Sequence, residues 1–581
     1  MDRSLPLNQL SPRLLDRLLL LILAIGAGCG LIYEYLLAHY AGRVLGAMDV
    51  AIFGMITTMM ISMGLGSFAA RKITNPFTGF AWLESLLALI GASATLIIGA
   101  IFALSYLLPQ SLADTFALPR DLIPEGGVLQ SLAQFTRLSP YLLGALLGFL
   151  IGIEIPLIGR IRAELYQDWR RNDPGAIYGI DYIGAGIGAT LWIVAMLSLP
   201  VTLAASMTAA VNLLLGLTFF ALFRQRIGHA GALLLVNATV ALIILQIASY
   251  GSDWDHAMED LIYRDEVVLR HNTRFQRLVV TSRQLSPTEP EVIFFHINGR
   301  TQFSSADEHI YHAMLTYPPM VANPHRHHIL IIGGGDGLAL RDILRWNPDT
   351  VTLLDLDSEL VDLFTRPLEL QGSVVNQRLL QLNQHAFSDP RVKTHFGDAF
   401  ITIDSLIEAQ RLFDVVIIDL PDPNHPDLNK LYSSRFYSKI RMVMAGDAVL
   451  SLQSTSPYHA KRAFLSIGKT LKHAGFTHVE PYHANVPSFG EWGWHLATLN
   501  DPPASERIAT AAEMPVDDGW TTKGVLLAAF QFSRHYFDEV ESIAINRLGS
   551  LATYQYHHKD WQREMGIVPN QKRVALPNEG D

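Results

Sequence analysis

The chain has 581 residues, with 44 Lys or Arg against 54 Asp or Glu and one cysteine. That exceeds an ordinary domain of roughly 100–200 residues, so at least two regions are expected. The net charge of −10 lies wholly beyond Tyr250, where 30 basic residues meet 41 acidic ones, against 14 and 13 before it. An acidic second half argues against a nucleic-acid partner, whose phosphates need a basic face, and suits a cationic ligand. Cys29, alone and inside an apolar run, excludes an intrachain disulfide and a cysteine zinc cluster.

Apolar stretches long enough to cross a bilayer occur near 18–38, 47–70, 80–107, 139–158, 177–199, 201–223 and 230–250. They predict an N-terminal multi-pass α-helical membrane domain over 1–250, with the lipid bilayer as its partner and the cell (inner) membrane as its location. A cleaved signal peptide accounts for only the first stretch. Gly26, Gly28 and Gly30, and Gly184, Gly186 and Gly188, suit close helix packing. Glu34, Glu84, Glu154 and Asp181 fall in or at the edge of spans, where a carboxylate is costly unless paired or wetted, so transport or binding roles compete with interhelical bonding.

The loops on the N-terminal side carry Arg3, Arg13, Arg17, Arg71, Lys72, Arg160, Arg162, Arg170, Arg171, Arg224 and Arg226; the opposite loops carry Arg43, Arg120 and Arg137. The positive-inside rule then puts the N-terminus in the cytoplasm and the second half outside. A miscounted span, sought first in the loop at 108–138, would reverse that.

Beyond Tyr250, β-branched runs at 267–269, 278–281 and 292–297 predict a small antiparallel β-sheet subdomain over 251–300. Runs at 329–332, 351–354, 415–418 and 448–452 alternate with helical patterns and predict a doubly wound α/β Rossmann-like domain over 301–565, followed by a polar tail at 566–581. Ligands of such sheets bind at the carboxyl ends of the strands. The first of these strands runs into Gly333-Gly334-Gly335-Asp336-Gly337, a turn that lets a nucleotide or nucleoside approach the backbone. The second ends in Asp355-Leu356-Asp357, where an acidic side chain can accept bonds from both ribose hydroxyls. Gly397-Asp398-Ala399 follows a short strand at 392–395, and a carboxylate there can take the exocyclic amine of adenine. Asp419-Leu420-Pro421-Asp422-Pro423 sets two carboxylates on a proline-stiffened loop at a strand end, one of them a candidate general base. His325, His327 and His328 lack partners at ligand spacing, so no metal site is expected.

In combination, Gly333 to Gly337, Asp355, Gly397-Asp398 and the segment 414–426 with Leu431 and Phe436-Tyr437 resemble the spermidine synthase family of aminopropyltransferases. Phe275 to Val280, Asn298 to Gln302, Asp307 to His312 and Leu450 to Ser454 agree, so the resemblance spans roughly 261–561 and marks a membrane-fused variant. It implies transfer of an aminopropyl group from decarboxylated S-adenosylmethionine, a co-substrate with no prosthetic group beside it, to a diamine, usually putrescine. Spermidine and methylthioadenosine result. The resemblance makes Asp419 the base. It assigns Gln276, Gly333, Gly335, Asp355, Asp398, Ala399 and Pro426 to the donor and His312, Asp336 and Asp422 to the acceptor, with Tyr311 and Gln302 beside them. Asp336 would repel the carboxylate of S-adenosylmethionine itself, which separates this reading from a methyltransferase. The family is commonly dimeric or tetrameric, which implies a homo-oligomer.

Asp355 stands where the family commonly has Glu, and Ala399 where Gly is common. The segment Asn485 to Gly493 puts Pro487 where many members carry a diamine-lining tyrosine, and it resembles thermospermine synthases, so spermidine is an alternative acceptor. A non-catalytic polyamine transporter or sensor is the competing class. Because the donor is made inside cells, the catalytic half is expected to face the cytoplasm, against the loop charges.

Overall fold

The computed structural model describes residues 12–45, 48–115, 127–165, 174–263, 265–284, 286–370, 373–512, 514 and 516–564. The polar tail at 566–581, part of the loop at 108–138, and Arg3, Arg120, Arg170 and Arg171 lie outside them. The chain divides into two compact units, Met1–Glu266 and Val267–Asp581.

Among the described residues, the first unit has seven helices long and apolar enough to cross a membrane. They are α1 (Pro12–Leu45), α2 (Met48–Ala69), α3 (Pro76–Thr115), α4 (Gly127–Leu165), α5 (Pro174–Leu191), α6 (Val201–Phe223) and α7 (Ala230–Ile262). The helices are apolar outside as well as inside. Phe53, Phe68, Ile187 and Val194 are exposed where a water-soluble bundle would carry charge. Glycine lets α1 and α5 touch backbone to backbone, since a Cβ at Gly184 would stand 2.0 Å from the Ala24 carbonyl and one at Gly188 2.4 Å from that of Gly28. Gly186 faces open space and takes no part.

Several arginines behind the sequence's charge bias hold the bundle together at one end. Arg162 Nε meets Asp16 Oδ1 at 2.8 Å, tying α4 to α1. Arg160 Nη1 donates to the Ile73 and Ala70 carbonyls at 2.7 and 3.2 Å. Arg226 lies 5.0 Å over the Phe77 ring. Helix α7 continues to Ile262, so residues 251–262 are helical and do not belong to the β-subdomain expected from 251.

The second unit opens with a four-stranded sheet in the order β1 (Glu266–Asn272), β2 (Arg277–Arg283), β3 (Val292–Ile297), β4 (Arg300–Ser304). The last strand was not expected from the sequence, although its signal is present. Asn298 and Gly299 have φ of +50° and +78°, the left-handed pair that closes a tight hairpin between β3 and β4. Helix α8 (Glu308–Ala322) follows, and then the main α/β layer.

That layer contains β5 (His328–Gly333), α9 (Leu338–Leu344), β6 (Thr350–Asp355), α10 (Ser358–Leu363), the short pair β7 (Glu369–Leu370) and β8 (Ser373–Val374), α11 (Gln377–Leu382), β9 (Val392–Phe396), α12 (Ala399–Glu408) and β10 (Phe413–Asp419). It ends with α13 (Ser434–Met442), β11 (Met444–Gln453), α14 (Lys461–His473), β12 (His478–Val486), β13 (Gly490–Thr498), α15 (Ala504–Thr510), α16 (Lys523–Ala528) and α17 (Ala552–Glu564). The seven-stranded sheet runs β12-β13-β11-β10-β5-β6-β9, parallel except for β13, which is antiparallel to both neighbours. Continuous β-branched runs suit strands buried on both faces. Ile329, Ile331, Val415 and Ile417 pack with α8 and α9, while Leu330, Ile332, Val416 and Ile418 pack with residues of α12 and α13. The order reverses between β5 and β10, opening a crevice at their carboxyl ends.

Candidate active site

A cavity of about 310 Å³ fills that crevice. Its floor is set by register: Gly333 at the end of β5 pairs with Asp419 at the end of β10, and the Gly334 N–H donates to the Asp419 carbonyl at 3.2 Å. Gly333 has φ of +82°, and a Cβ there would stand 1.9 Å from the Asp419 carbonyl oxygen; one at Gly335 would stand 2.7 Å from Asp355 Oδ2. Only glycine lets the three strand ends converge. Gly333→Ala is expected to lose turnover and donor binding together, since the left-handed backbone alone costs of order 1–3 kcal/mol before the clash is counted. Isothermal titration with methylthioadenosine checks it, and undiminished binding would contradict this account of the turn.

On one side Asp355 ends β6, and its Oδ1 accepts from the Asp357 N–H at 2.8 Å. Burial pushes its carboxyl up to about 7, although that backbone bond opposes the rise. Asp357 caps α10 and accepts from Gln276 Nε2 at 2.9 Å and Thr273 Oγ1 at 2.6 Å, so the first sheet's Gln276 is held over the cavity by the second acid of that strand end. Asp398 caps α12, accepting from the Phe400 N–H at 3.0 Å, and its other oxygen is bound by Lys430. Ala399 begins α12 and lines the cavity. Pro426, expected beside the donor, does not line it: Pro426 opens the 3₁₀ turn Pro426–Tyr432, and its neighbours Asp427 and Leu428 reach the wall instead.

On the other side Tyr311 donates to Asp419 Oδ1 at 2.7 Å. Burial and then the charge of Asp336 push the Asp419 carboxyl up to about 6, against the opposing influence of His312 and the Tyr311 hydroxyl. Asp336 is likewise raised, first by burial, while accepting from the Leu338 N–H at 2.9 Å. Asp422 is fixed by Gln453 Nε2 at 3.1 Å, Thr455 Oγ1 at 3.2 Å and His557 Nε2 at 3.1 Å. Gln302 lines the cavity and donates to the Arg300 carbonyl at 3.2 Å.

His312 sits at the end of a buried charge network missed in the sequence. Its Nδ1 lies 2.9 Å from Glu308 Oε2, one helical turn earlier on α8. Glu308 also receives Arg341 Nη1 at 2.8 Å and Nη2 at 3.1 Å. Burial opposes a charged His312, but Glu308 overrides it and lifts the imidazole to about 9, so it is a cation at neutral pH. The i, i+4 spacing of Glu308 and His312 was the available signal.

Pro487, read as standing in the place of the family's diamine-lining tyrosine, does not line the cavity; from its segment Phe489 and Trp492 do. The turn that carries Phe489 is fastened by Asp307, whose carboxylate accepts from the Ser488 N–H at 2.6 Å and Oγ at 2.9 Å. His325 and His327 are exposed and pair separately with Asp447 and Asp349.

Comparison with known proteins gives the same direction. The family model described as Spermine/spermidine synthase domain matches residues 308–507. A polyamine aminopropyltransferase of Shewanella oneidensis is 49% identical over 552 residues, covering 95% of this chain and 96% of the relative, so the likeness extends through the seven-helix unit. Polyamine aminopropyltransferase 1 of Streptomyces coelicolor is 34% identical over 85% of this chain and 86% of its own. A crystal structure of spermidine synthase in complex with the transition-state analogue AdoDATO aligns at 22% identity and TM-score 0.40, covering 48% of this chain and 89% of that one. An enzyme cavity lined by converging carboxylates at a switch point, within a chain so similar along its length, places this protein in the polyamine aminopropyltransferase family.

Proposed function

We propose that this aminopropyltransferase moves the aminopropyl group of decarboxylated S-adenosylmethionine to putrescine, giving spermidine and methylthioadenosine with no prosthetic group. The observation that carries this is the placement of the buried Asp355 and the half-buried Asp336 and Asp419 around one cavity. Carboxylates lifted by burial gain most from a cation, and both substrates are cationic amines.

Asp355 and Gln276 receive the donor's ribose side, and Asp398 its base once Lys430 yields. Asp336 faces the donor's terminal ammonium. Asp422 and Asp419 hold the acceptor. Asp419 takes a proton from the attacking nitrogen, which forms its bond to the carbon next to sulfur as the carbon–sulfur bond breaks and leaves neutral methylthioadenosine. Tyr311 keeps the accepting carboxylate aimed, and alignment of the two substrates supplies much of the remaining rate.

A base near 6 sets a pH dependence. The free enzyme's kcat/KM is expected to rise with pH through about 6 as Asp419 ionises. Bound ammonium favours the carboxylate, so the limb in kcat lies lower than the limb in kcat/KM. Initial rates from pH 4.5 to 8 measure both; coincident limbs would remove the cationic acceptor from Asp419.

Spermidine is the second acceptor reading, supported by Phe489 and Trp492 in the wall where the family's tyrosine is expected. The ratio of kcat/KM for putrescine over spermidine decides: above one supports the primary reading, below one the second. We also propose an inner-membrane protein with this unit in the cytoplasm. Arg160 and Arg162 are engaged in helix contacts, which weakens the loop-charge argument for the opposite orientation. Protease digestion of sealed inverted vesicles tests it: cleavage within the second unit is expected, and protection contradicts it.

A further inference from the structure

The seven-helix unit contains polar groups that aminopropyl transfer does not use. Glu84 on α3 is fully buried and Glu154 on α4 is 3% exposed. Asn212 of α6 donates to Glu84 Oε2 at 3.0 Å, which directs its amide at the carboxylate. Glu84 Oε1, Glu154 Oε1 and Asn212 Oδ1 have no hydrogen-bond partner, and neither has the Tyr33 hydroxyl on α1, which is 1% exposed. None of these bare oxygens is bonded to the Tyr33 hydroxyl or to the spare donors Thr95 Oγ1 and Asn237 Nδ2, and bare carboxylate oxygens in a low-dielectric interior require added positive charge or added protons.

The charged and titratable surroundings supply neither. Glu154 feels the charges of Glu84 and Asp181, the latter on α5, and Cys29 and Tyr33 of α1 feel both glutamates. Helix α6 presents no charged residue along its length. Arg162, the buried cation among the described residues of the bundle, is bonded to Asp16. Nor do the described residues contain a group of three His, Cys, Asp or Glu placed to hold a metal. Packing is tight as well, since a Cβ at Gly26 would stand 3.1 Å from Glu154 Oε2 and one at Gly216 2.9 Å from the Glu84 Cβ. A proton is the cation that needs no further room.

We propose that Glu84 and Glu154 form a proton-binding site in the interior of the seven-helix unit, with the half-buried Asp181 as the point through which the proton exchanges. The membrane unit is then an ion-binding element and more than an anchor. One carboxyl carries the proton, becomes the missing donor to a neighbouring bare oxygen, and releases it by way of Asp181 without any change of oxidation state. This reading stands apart from the transfer chemistry of the second unit.

The full chain in lipid nanodiscs, carrying Asp336→Asn, Asp355→Asn and Asp419→Asn to silence the raised carboxyls of the enzyme site, is examined by infrared difference spectroscopy during pH titration. A protonated-carboxyl carbonyl band is expected at neutral pH, disappearing on alkalinisation. Glu154→Gln and Glu84→Gln each remove or shift it, whereas Glu34→Gln does not. Asp181→Asn slows its exchange in deuterated water. In the otherwise native chain, Glu84→Gln and Glu154→Gln leave methylthioadenosine production unchanged. A variant that does not accumulate is replaced by the corresponding Glu→Asp, which retains the acid and moves its band. No titrating band in the silenced background, or a band indifferent to changes at both Glu84 and Glu154, overturns the proposal.

Discussion

Asp419→Asn is expected to lower kcat at least about a hundredfold, within the range a positioned general base contributes. The amide keeps the volume and can still accept from Tyr311, whose hydroxyl lies 2.7 Å from Asp419 Oδ1, so the cavity wall stays in place. It cannot take a proton from an ammonium. Donor affinity, set by the opposite side around Asp355 and Asp398, is expected to change little. The variant's remaining activity also loses the rise through pH 6, because the group responsible is gone. Methylthioadenosine titration and a pH profile check the two parts separately. Unchanged turnover would place the base elsewhere, with Asp422 the first alternative.

The second large effect concerns Glu308, a positioning residue. Glu308 and Arg341 are 4% and 7% exposed, and one carboxylate serves both Arg341 and His312. Glu308→Gln strips His312 of its carboxylate and leaves Arg341 with Asp342, at 2.9 and 3.2 Å, as its remaining buried anion, so the loss is expected to fall below the roughly 3–5 kcal/mol of a fully uncompensated buried charge. The sign of its pH dependence follows from the pKa shifts. Burial works against the Glu308 carboxylate, but His312 and Arg341 bring it down to about 2, so its stabilisation is present above about 4.5 and is lost as pH falls towards 2. His312, raised to about 9, contributes fully below about 6.5 and loses its contribution as pH rises through 9. The gap between native chain and variant is therefore widest near pH 4.5–6.5 and narrows on both sides. Hydrogen exchange of the α8 and α9 amides in the full chain measures this locally. Because the imidazolium also faces Asp419, the acid limb of kcat/KM is expected to move up in the variant; a stability loss without that movement would make Glu308 structural only.

Much of the architecture was legible because its signals are local. Long apolar stretches predict α1 to α7, β-branched runs ending in glycine or aspartate predict β5, β6 and β10, and the apolar run at 448–452 predicts β11. The same strand ends bring Asp336, Asp355 and Asp419 to one cavity, since parallel strands deliver their last residues to a common edge. What stayed hidden depends on pairing across the chain. Strands β12 and β13 mix Pro481, His483, Trp492 and His495 with few β-branched residues, so neither periodicity nor propensity marks them. Their register decides that Phe489 and Trp492, not Pro487, reach the cavity. Lys430 meets Asp398 through a 3₁₀ turn whose path no spacing rule foretells. Charge counting is ambiguous for another reason: a loop arginine such as Arg160 can bind neighbouring carbonyls, and composition cannot tell that role from a topological one.

Aminopropyl transfer between two cationic substrates in this cavity has a fixed stoichiometry. A single-turnover mixture of the purified full chain, decarboxylated S-adenosylmethionine and putrescine or spermidine, sampled at pH 7.5, tests it most directly. Equal amounts of methylthioadenosine and the elongated amine are predicted, with Asp419→Asn forming neither on the same timescale. Methylthioadenosine without an elongated amine, or no product from an enzyme that binds both substrates, would contradict it.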